Sequence, residues 1–288
     1  MIFKILTKKI SNLMYKMLLL HVFTKAKYKN ILFTKSNFIL ITIAFNNTET
    51  IYIQYKHLKE NLEDGFDYVI ADNSDKIEIS NEIKLFCEKN NISYIILPKN
   101  PLTNIRTSGS HGIALNWCYR NIIKKYKPKY FGFLDHDIFP IIKTGIANKI
   151  RDGLWGVIRI KKEKWWYLWP GFSFFEYEKM KKYKFNFFPH HAGLKGLVFL
   201  DTGGANYYSI YKKVKRSTIS EAKSLLIDMT TKEQLLPKHD SSQTFEIIDN
   251  TWLHLRQISW REESFNKMER LSEITETAHE IIKKQILI

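Results

Sequence analysis

The strongest constraint on the fold is a recurring unit, a short apolar and β-branched run that ends in a polar turn and is followed by a helical segment. Phe38-Ile39-Leu40-Ile41-Thr42-Ile43-Ala44-Phe45 is the first such run and closes on Asn46-Asn47. A run with no polar alternation is how a strand covered on both faces reads, as in parallel sheets. Tyr52, Tyr55, Leu58 and Leu62 follow at helical spacing, and Gly65 stands where a helix stops. Phe66 to Ala71 repeats the strand pattern and ends in Asp72-Asn73-Ser74-Asp75. A helix from about Ser80 to Lys89 then leads to the apolar run Ser93 to Leu97. After a loop-like stretch from Pro98 to Gly109, Ser110 is placed to cap a helix running to Lys125. Tyr130-Phe131-Gly132-Phe133-Leu134 is the next strand and delivers Asp135-His136-Asp137. This alternation predicts an α/β fold, an open, mostly parallel sheet flanked by helices and joined by right-handed crossovers. Ligands of such sheets sit beyond the carboxyl ends of the strands, where Asp72, Asp135 and Asp137 fall.

The second half is less regular. Leu154 to Ile160 and Leu197 to Leu200 read as strands, Trp252 to Leu255 as a short strand or turn, and Glu269 to Leu287 as a terminal helix. With no internal repeat and no Gly/Ser/Pro-rich linker, the chain divides into a basic extension (residues 1–36), a catalytic domain (37–260) and a C-terminal helical segment (261–288). Cys87 and Cys118 are the only cysteines and have no zinc or redox spacing, which fits a reducing, cytoplasmic setting.

Asp135-His136-Asp137 carries the chemistry. Carboxylates two positions apart, after a buried strand, can reach one divalent cation where the chain turns; hard oxygen ligands suit Mg²⁺ or Mn²⁺. Such an ion bridges the phosphates of a nucleotide and offsets the charge of a leaving diphosphate. A solvated polar turn is the bland alternative. Upstream, Arg106-Thr107-Ser108-Gly109-Ser110-His111 precedes a helix, and a helix N-terminus with an arginine suits phosphate. Downstream, Asp201 opens Asp201-Thr202-Gly203-Gly204, where the glycines allow a ligand close to the backbone.

The run Phe38–Asn47, the acidic turn at Asp72, the Asn100–Trp117 loop and helix and the strand ending in Asp135-His136-Asp137 occur in the order found in glycosyltransferases of the GT-A fold. The chain resembles the family 2 type most, from roughly Phe38 to His254. The resemblance implies a Rossmann-like nucleotide-binding domain and metal-dependent transfer of a sugar, with inversion, from a UDP- or GDP-sugar to a hydroxyl of a glycan, lipid-linked sugar or protein. It implies that Asp72 contacts the nucleoside, that Asp135 and Asp137 contact ribose, metal and phosphates, and that Arg106 and His111 lie beside the nucleotide. His254 resembles the late histidine that completes the metal site, with a core histidine as the competing reading. Trp169, in the aromatic run Trp165 to Phe175, resembles a sugar-binding wall; a hydrophobic mini-core or a membrane-interface belt is the alternative. An inverting transferase needs a carboxylate base. Asp201 is the candidate, Asp240 its competitor, and Asp201 suits the donor's hydroxyls equally. The family's acidic pair for this role has no clear counterpart after Asp137.

A nucleotidyltransferase also uses paired carboxylates, but Asn46-Asn47-Thr48-Glu49 is unlike the glycine-rich basic loop it needs. The net charge of +16 admits a nucleic-acid-binding protein, yet no RNA-binding motif is present and the strands end in acids. Much of the charge is a lysine-rich composition. The informative cluster is at the N-terminus, where Lys4, Lys8, Lys9, Lys16, Lys25, Lys27, Lys29 and Lys35 occur with no acid before Ser36. The apolar run Leu13 to Phe23 is too short to span a bilayer and is interrupted by Lys16. Residues 1–36 therefore suit either peripheral contact with an anionic membrane or a helix packed on the domain.

Overall fold

A computed structural model of the 288-residue chain describes residues 2–34, 36–103, 105–193, 196–236, 243–256 and 265–286. A helix α1 (Ile2–Leu18) is followed by β1 (Tyr28–Asn30), β2 (Phe38–Ala44), α2 (Thr48–Asn61), β3 (Asp67–Asp72), α3 (Ile77–Lys89), β4 (Ser93–Ile96) and α4 (Thr107–Cys118). Next come β5 (Tyr130–Asp135), β6 (Ile138–Pro140), β7 (Leu154–Lys161), β8 (Trp165–Glu176), and the hairpin of β9 (His190–Ala192) and β10 (Val198–Leu200). The remaining strands are β11 (Ser220–Glu221), β12 (Ser224–Asp228), β13 (Gln234–Leu235), β14 (Thr244–Ile248) and β15 (Trp252–His254); a helix from Leu271 to Ile286 closes the described chain.

Among the described residues the main sheet has eight strands in the order β1-β4-β3-β2-β5-β8-β7-β11. β4, β3, β2, β5, β7 and β11 run one way, while β1 and β8 run against them. The expected α/β class, with an open and mostly parallel sheet flanked by helices, is the observed one. Residues 28–30, inside the basic extension, add the edge strand beside β4.

The unbroken apolar run of β2 follows from burial on both faces. Ile39, Ile41 and Ile43 pack with Leu115, Trp117 and Cys118 of α4. Phe38, Leu40 and Ala44 pack on the other side with Ile51 and Leu58 of α2 and Ile83 of α3. Each such side chain contributes roughly 1.5–3 kcal/mol of transfer free energy.

The aromatic run is mostly core. As β8 it lies between β5 and β7, with Trp166, Tyr167, Leu168, Phe172, Phe174 and Phe175 buried. Alternate residues of a strand point to opposite faces, so a central strand consumes aromatics on both sides. The mini-core alternative thus describes most of the run; Tyr167 and Trp169 alone of Trp165–Phe175 line the cleft described below.

A second, antiparallel sheet was not foreseen. It has the order β13-β12-β14-β15-β6, and its core includes Phe245, Ile247 and Leu253 packed against Ile274, Ala278 and Ile282 of the C-terminal helix. β6 follows β5 after two residues, so the chain passes directly from one sheet into the other.

Candidate active site

That passage is Asp135-His136-Asp137. Asp135 ends β5, Ile138 begins β6, and Gln54 of α2 holds the turn from behind. The wholly buried Gln54 donates from Nε2 to the carbonyls of Asp135 (2.8 Å) and Ile138 (2.6 Å). Its Oε1 accepts from the hydroxyls of Thr42 (2.8 Å) and Tyr68 (2.5 Å). The four bonds satisfy the amide, which a buried polar group requires.

Strand pairing brings in the remaining groups. Ile138 of β6 faces His254 of β15, and His254 faces Glu246 of β14. His254 Nδ1 lies 2.7 Å from Glu246 Oε2, and both side chains are buried. Burial opposes ionisation of Glu246, but His254, Arg159 (3.8 Å) and Arg256 overcome it and hold the carboxyl down at about 2. The other ring nitrogen, Nε2, stands 3.6 Å from Asp137 Oδ1, beyond hydrogen-bond length.

Asp135 Oδ1 is 3.5 Å from His111 Nε2. Burial pushes the Asp135 carboxyl above its ordinary range; His111 draws it back, and neighbouring Asp137 adds to the rise. Gly171 makes room for this carboxylate, because a Cβ there would stand 2.5 Å from Asp135 Oδ2. Beside it the Trp169 ring lies 5.0 Å from that of His254, and the Arg159 guanidinium stands 4.7 Å from the Trp169 centroid.

These groups line a cleft of about 820 Å³, a size that accepts a small-molecule ligand. Thr107, Ser108, Ser110 and His111, from the N-terminal end of α4, line it too. The helix starts at Thr107, three residues before the expected cap. Ser110 is instead buried in the first turn, where its hydroxyl accepts from Asn73 Nδ2 (3.0 Å) and Asn100 Nδ2 (2.9 Å). Asp201 and Thr202 form part of the rim. Thr202 Oγ1 donates to the Ser108 carbonyl (3.0 Å), tying this loop to α4.

Of the residues expected at the site, Asp135, Asp137, His111, Trp169, Asp201 and His254 surround the cleft. Four others do not line it. Asp72 is buried, and its carboxylate is satisfied internally. Ser80 and Tyr94 (2.6 Å) donate to Oδ2 and the Ser74 N–H to Oδ1 (2.9 Å). Asn73, the next residue, lines the cleft instead. Arg106 turns away to donate to Ser11 Oγ of α1 (2.9 Å). Gly203 and Gly204 shape the loop behind Asp201; Gly203 has φ +85°, and a Cβ there would meet Pro170 at 2.7 Å. Asp240 lies outside the described residues. Sequence reasoning missed Gln54, Asn73, Arg159 and Glu246, which no motif flags.

The residue types suit a hard divalent cation. Asp135 and Asp137 offer oxygens, and His254 offers Nε2 while Glu246 engages Nδ1, the outer-sphere arrangement of metal-binding imidazoles. Among the described residues no three such side chains enclose an ion by themselves. Mg²⁺-type sites use one or two carboxylates and complete the shell with phosphate oxygens and water.

No family model and no curated protein sequence matches the chain. Solved structures with partial similarity include the mannosyltransferase PcManGT from Pyrobaculum calidifontis in complex with GDP-Man and Mn²⁺ (9% identity, TM-score 0.35). That match covers 58% of this chain and 52% of the other. A second is the mannosyltransferase Ktr4p from S. cerevisiae (14% identity, TM-score 0.29), covering 51% of this chain and 49% of that one. The chain thus spans about half the length of each.

Proposed function

We propose that the chain is a metal-dependent glycosyltransferase that moves a sugar from a nucleoside diphosphate to an acceptor hydroxyl with inversion. The observation that carries this reading is the convergence of Asp135, Asp137 and a His254 oriented by Glu246 on the floor of one cleft. Asp135, Asp137 and His254 are the residues that would hold Mn²⁺ or Mg²⁺, and the ion would supply charge stabilisation for the leaving diphosphate. The first turn of α4 favours the phosphates through its helix N-terminus. Trp169, backed by Arg159, offers an aromatic face to the donor sugar.

Asp201, on the rim, is the base in this reading. It accepts the proton of the acceptor hydroxyl as that oxygen bonds to the anomeric carbon. The bond from this carbon to the phosphate oxygen breaks, and the nucleoside diphosphate leaves with the electron pair. Enclosure in the cleft orients the two reactants and limits attack by water.

Thermal stabilisation by UDP and GDP, with and without Mn²⁺, tests the reading. A metal-dependent rise in Tm with at least one nucleotide is expected, and it is lost in Asp135→Ala and Asp137→Ala. If neither nucleotide stabilises the chain with any divalent ion, the reading is wrong.

A further inference from the structure

The N-terminal helix has one face committed to the protein, while the apolar side chains of its opposite face are exposed among the described residues. Tyr15 stacks on Phe188 with ring centroids 5.0 Å apart. Ser11 Oγ accepts from Arg106, and Asn12 exchanges hydrogen bonds with the backbone of His191 (3.1 and 3.0 Å). These contacts fix the rotation of α1 about its axis. Its outward stripe is Leu6, Ile10, Leu13 and Met17, spaced by three and four residues and continued in the following 3₁₀ turn by Leu20 and by Phe23, whose ring carries the Arg120 guanidinium 4.3 Å from its centroid. These six side chains are 53–70% exposed. An ordinary surface helix turns such a stripe inward.

Charge identifies what covers it. Lys9 and Lys16 are exposed along one edge of the stripe, and Lys25, Lys27 and Lys29 are exposed just beyond it. The first acidic residue of the chain is Glu49. A second copy docked isologously would set these lysines against their own equivalents, which is repulsive. A lipid surface bearing anionic headgroups pairs with the lysines while its acyl region receives the aliphatic side chains. Among the described residues no helix is long and apolar enough to cross a membrane. A 17-residue helix, about 25 Å long, suits lying in the interface plane.

We infer that α1 is a membrane-surface anchor that lays the Leu6–Phe23 stripe into the headgroup boundary of an anionic bilayer. The inference is independent of the catalytic reading, since lipid binding is measured with no nucleotide present.

The test is co-sedimentation of the full chain with vesicles of phosphatidylcholine alone or mixed with phosphatidylglycerol. The wild type is expected to partition onto the mixed vesicles, less so at high salt. Lys9→Gln with Lys16→Gln should weaken partitioning about 25-fold, from about fivefold per lysine. Leu13→Glu with Met17→Glu should weaken it about 100-fold. Circular dichroism checks that the latter variant is folded. Ile10→Gln with Leu20→Gln, which adds no charge, serves in its place if it is not. Failure of the wild type to partition, or unchanged partitioning in the apolar-stripe variants, overturns the inference. So does a wild-type dimer that Leu13→Glu with Met17→Glu converts to a monomer.

Discussion

His254 Nδ1 and Glu246 Oε2 meet at 2.7 Å on directly opposed positions of two antiparallel strands, so sheet register sets the carboxylate against the imidazole. The ring's free edge, Nε2, thereby faces Asp137. Replacing Glu246 by Gln keeps an acceptor but removes the charge. Mn²⁺ affinity, measured by calorimetric titration, should fall about ten- to a hundredfold. An unchanged affinity would show that Glu246 has no part in presenting His254.

The same pair makes stability depend on pH. Glu246 is held at about 2 in the fold, against an ordinary 4.5. A depressed carboxyl stabilises the fold above its unfolded value and loses that contribution as pH falls through its folded one. The Tm gap between wild type and Glu246→Gln should thus be constant above pH 4.5 and narrow as pH approaches 2. Thermal melts across that window decide it.

Asp135 has the opposite sign. Its carboxyl is raised by burial, so the ionised form costs folding stability above the unfolded value. Asp135→Asn should raise Tm in metal-free buffer while abolishing the Mn²⁺-dependent nucleotide shift. In the wild type, metal binding should decline with acid at a pH above the ordinary carboxylate range. Scanning calorimetry with and without Mn²⁺ reads both effects.

Gln54→Ala removes the side chain that satisfies the Asp135 and Ile138 carbonyls. Stranding those groups and two buried hydroxyls should cost about 2–4 kcal/mol in urea unfolding. A cost below ~1 kcal/mol would mean that the turn supports itself.

Gly171→Ala pushes a methyl group at Asp135 Oδ2 and the Trp169 ring. Nucleotide stabilisation in Mn²⁺ should drop at least tenfold in apparent affinity, a loss of more than about 1.4 kcal/mol. Wild-type affinity would place the Asp135 carboxylate elsewhere during binding.

The first half of the fold was legible because two-sided burial of β2, β3 and β5 leaves predominantly apolar runs whose charged residues fall at their ends, with Thr42 the one interior hydroxyl of β2. The second sheet was not, since β6 and β15 are three residues long and show no period. Asp135 and Asp137 could be read from their place after a strand. Asp72 has the same signature but does not line the cleft, and sequence does not reveal that Ser80 and Tyr94 already occupy its carboxylate. Arg106 likewise stands off the cleft, held by Ser11, a partner 95 residues away. Glu246 and Gln54 act through tertiary contacts alone, and nothing local distinguishes them from any buried polar residue.

The turn from β5 into β6 makes Asp135 the last residue of one sheet and places Asp137 at the threshold of the next. Metal affinity in this protein should therefore behave like a strain gauge across that seam. A substitution deep in either layer that slides it by a fraction of an ångström would register as a change in ion binding. Rim positions such as Leu236, exposed beside β13, stand apart from that seam, and their exchange should leave the gauge undisturbed.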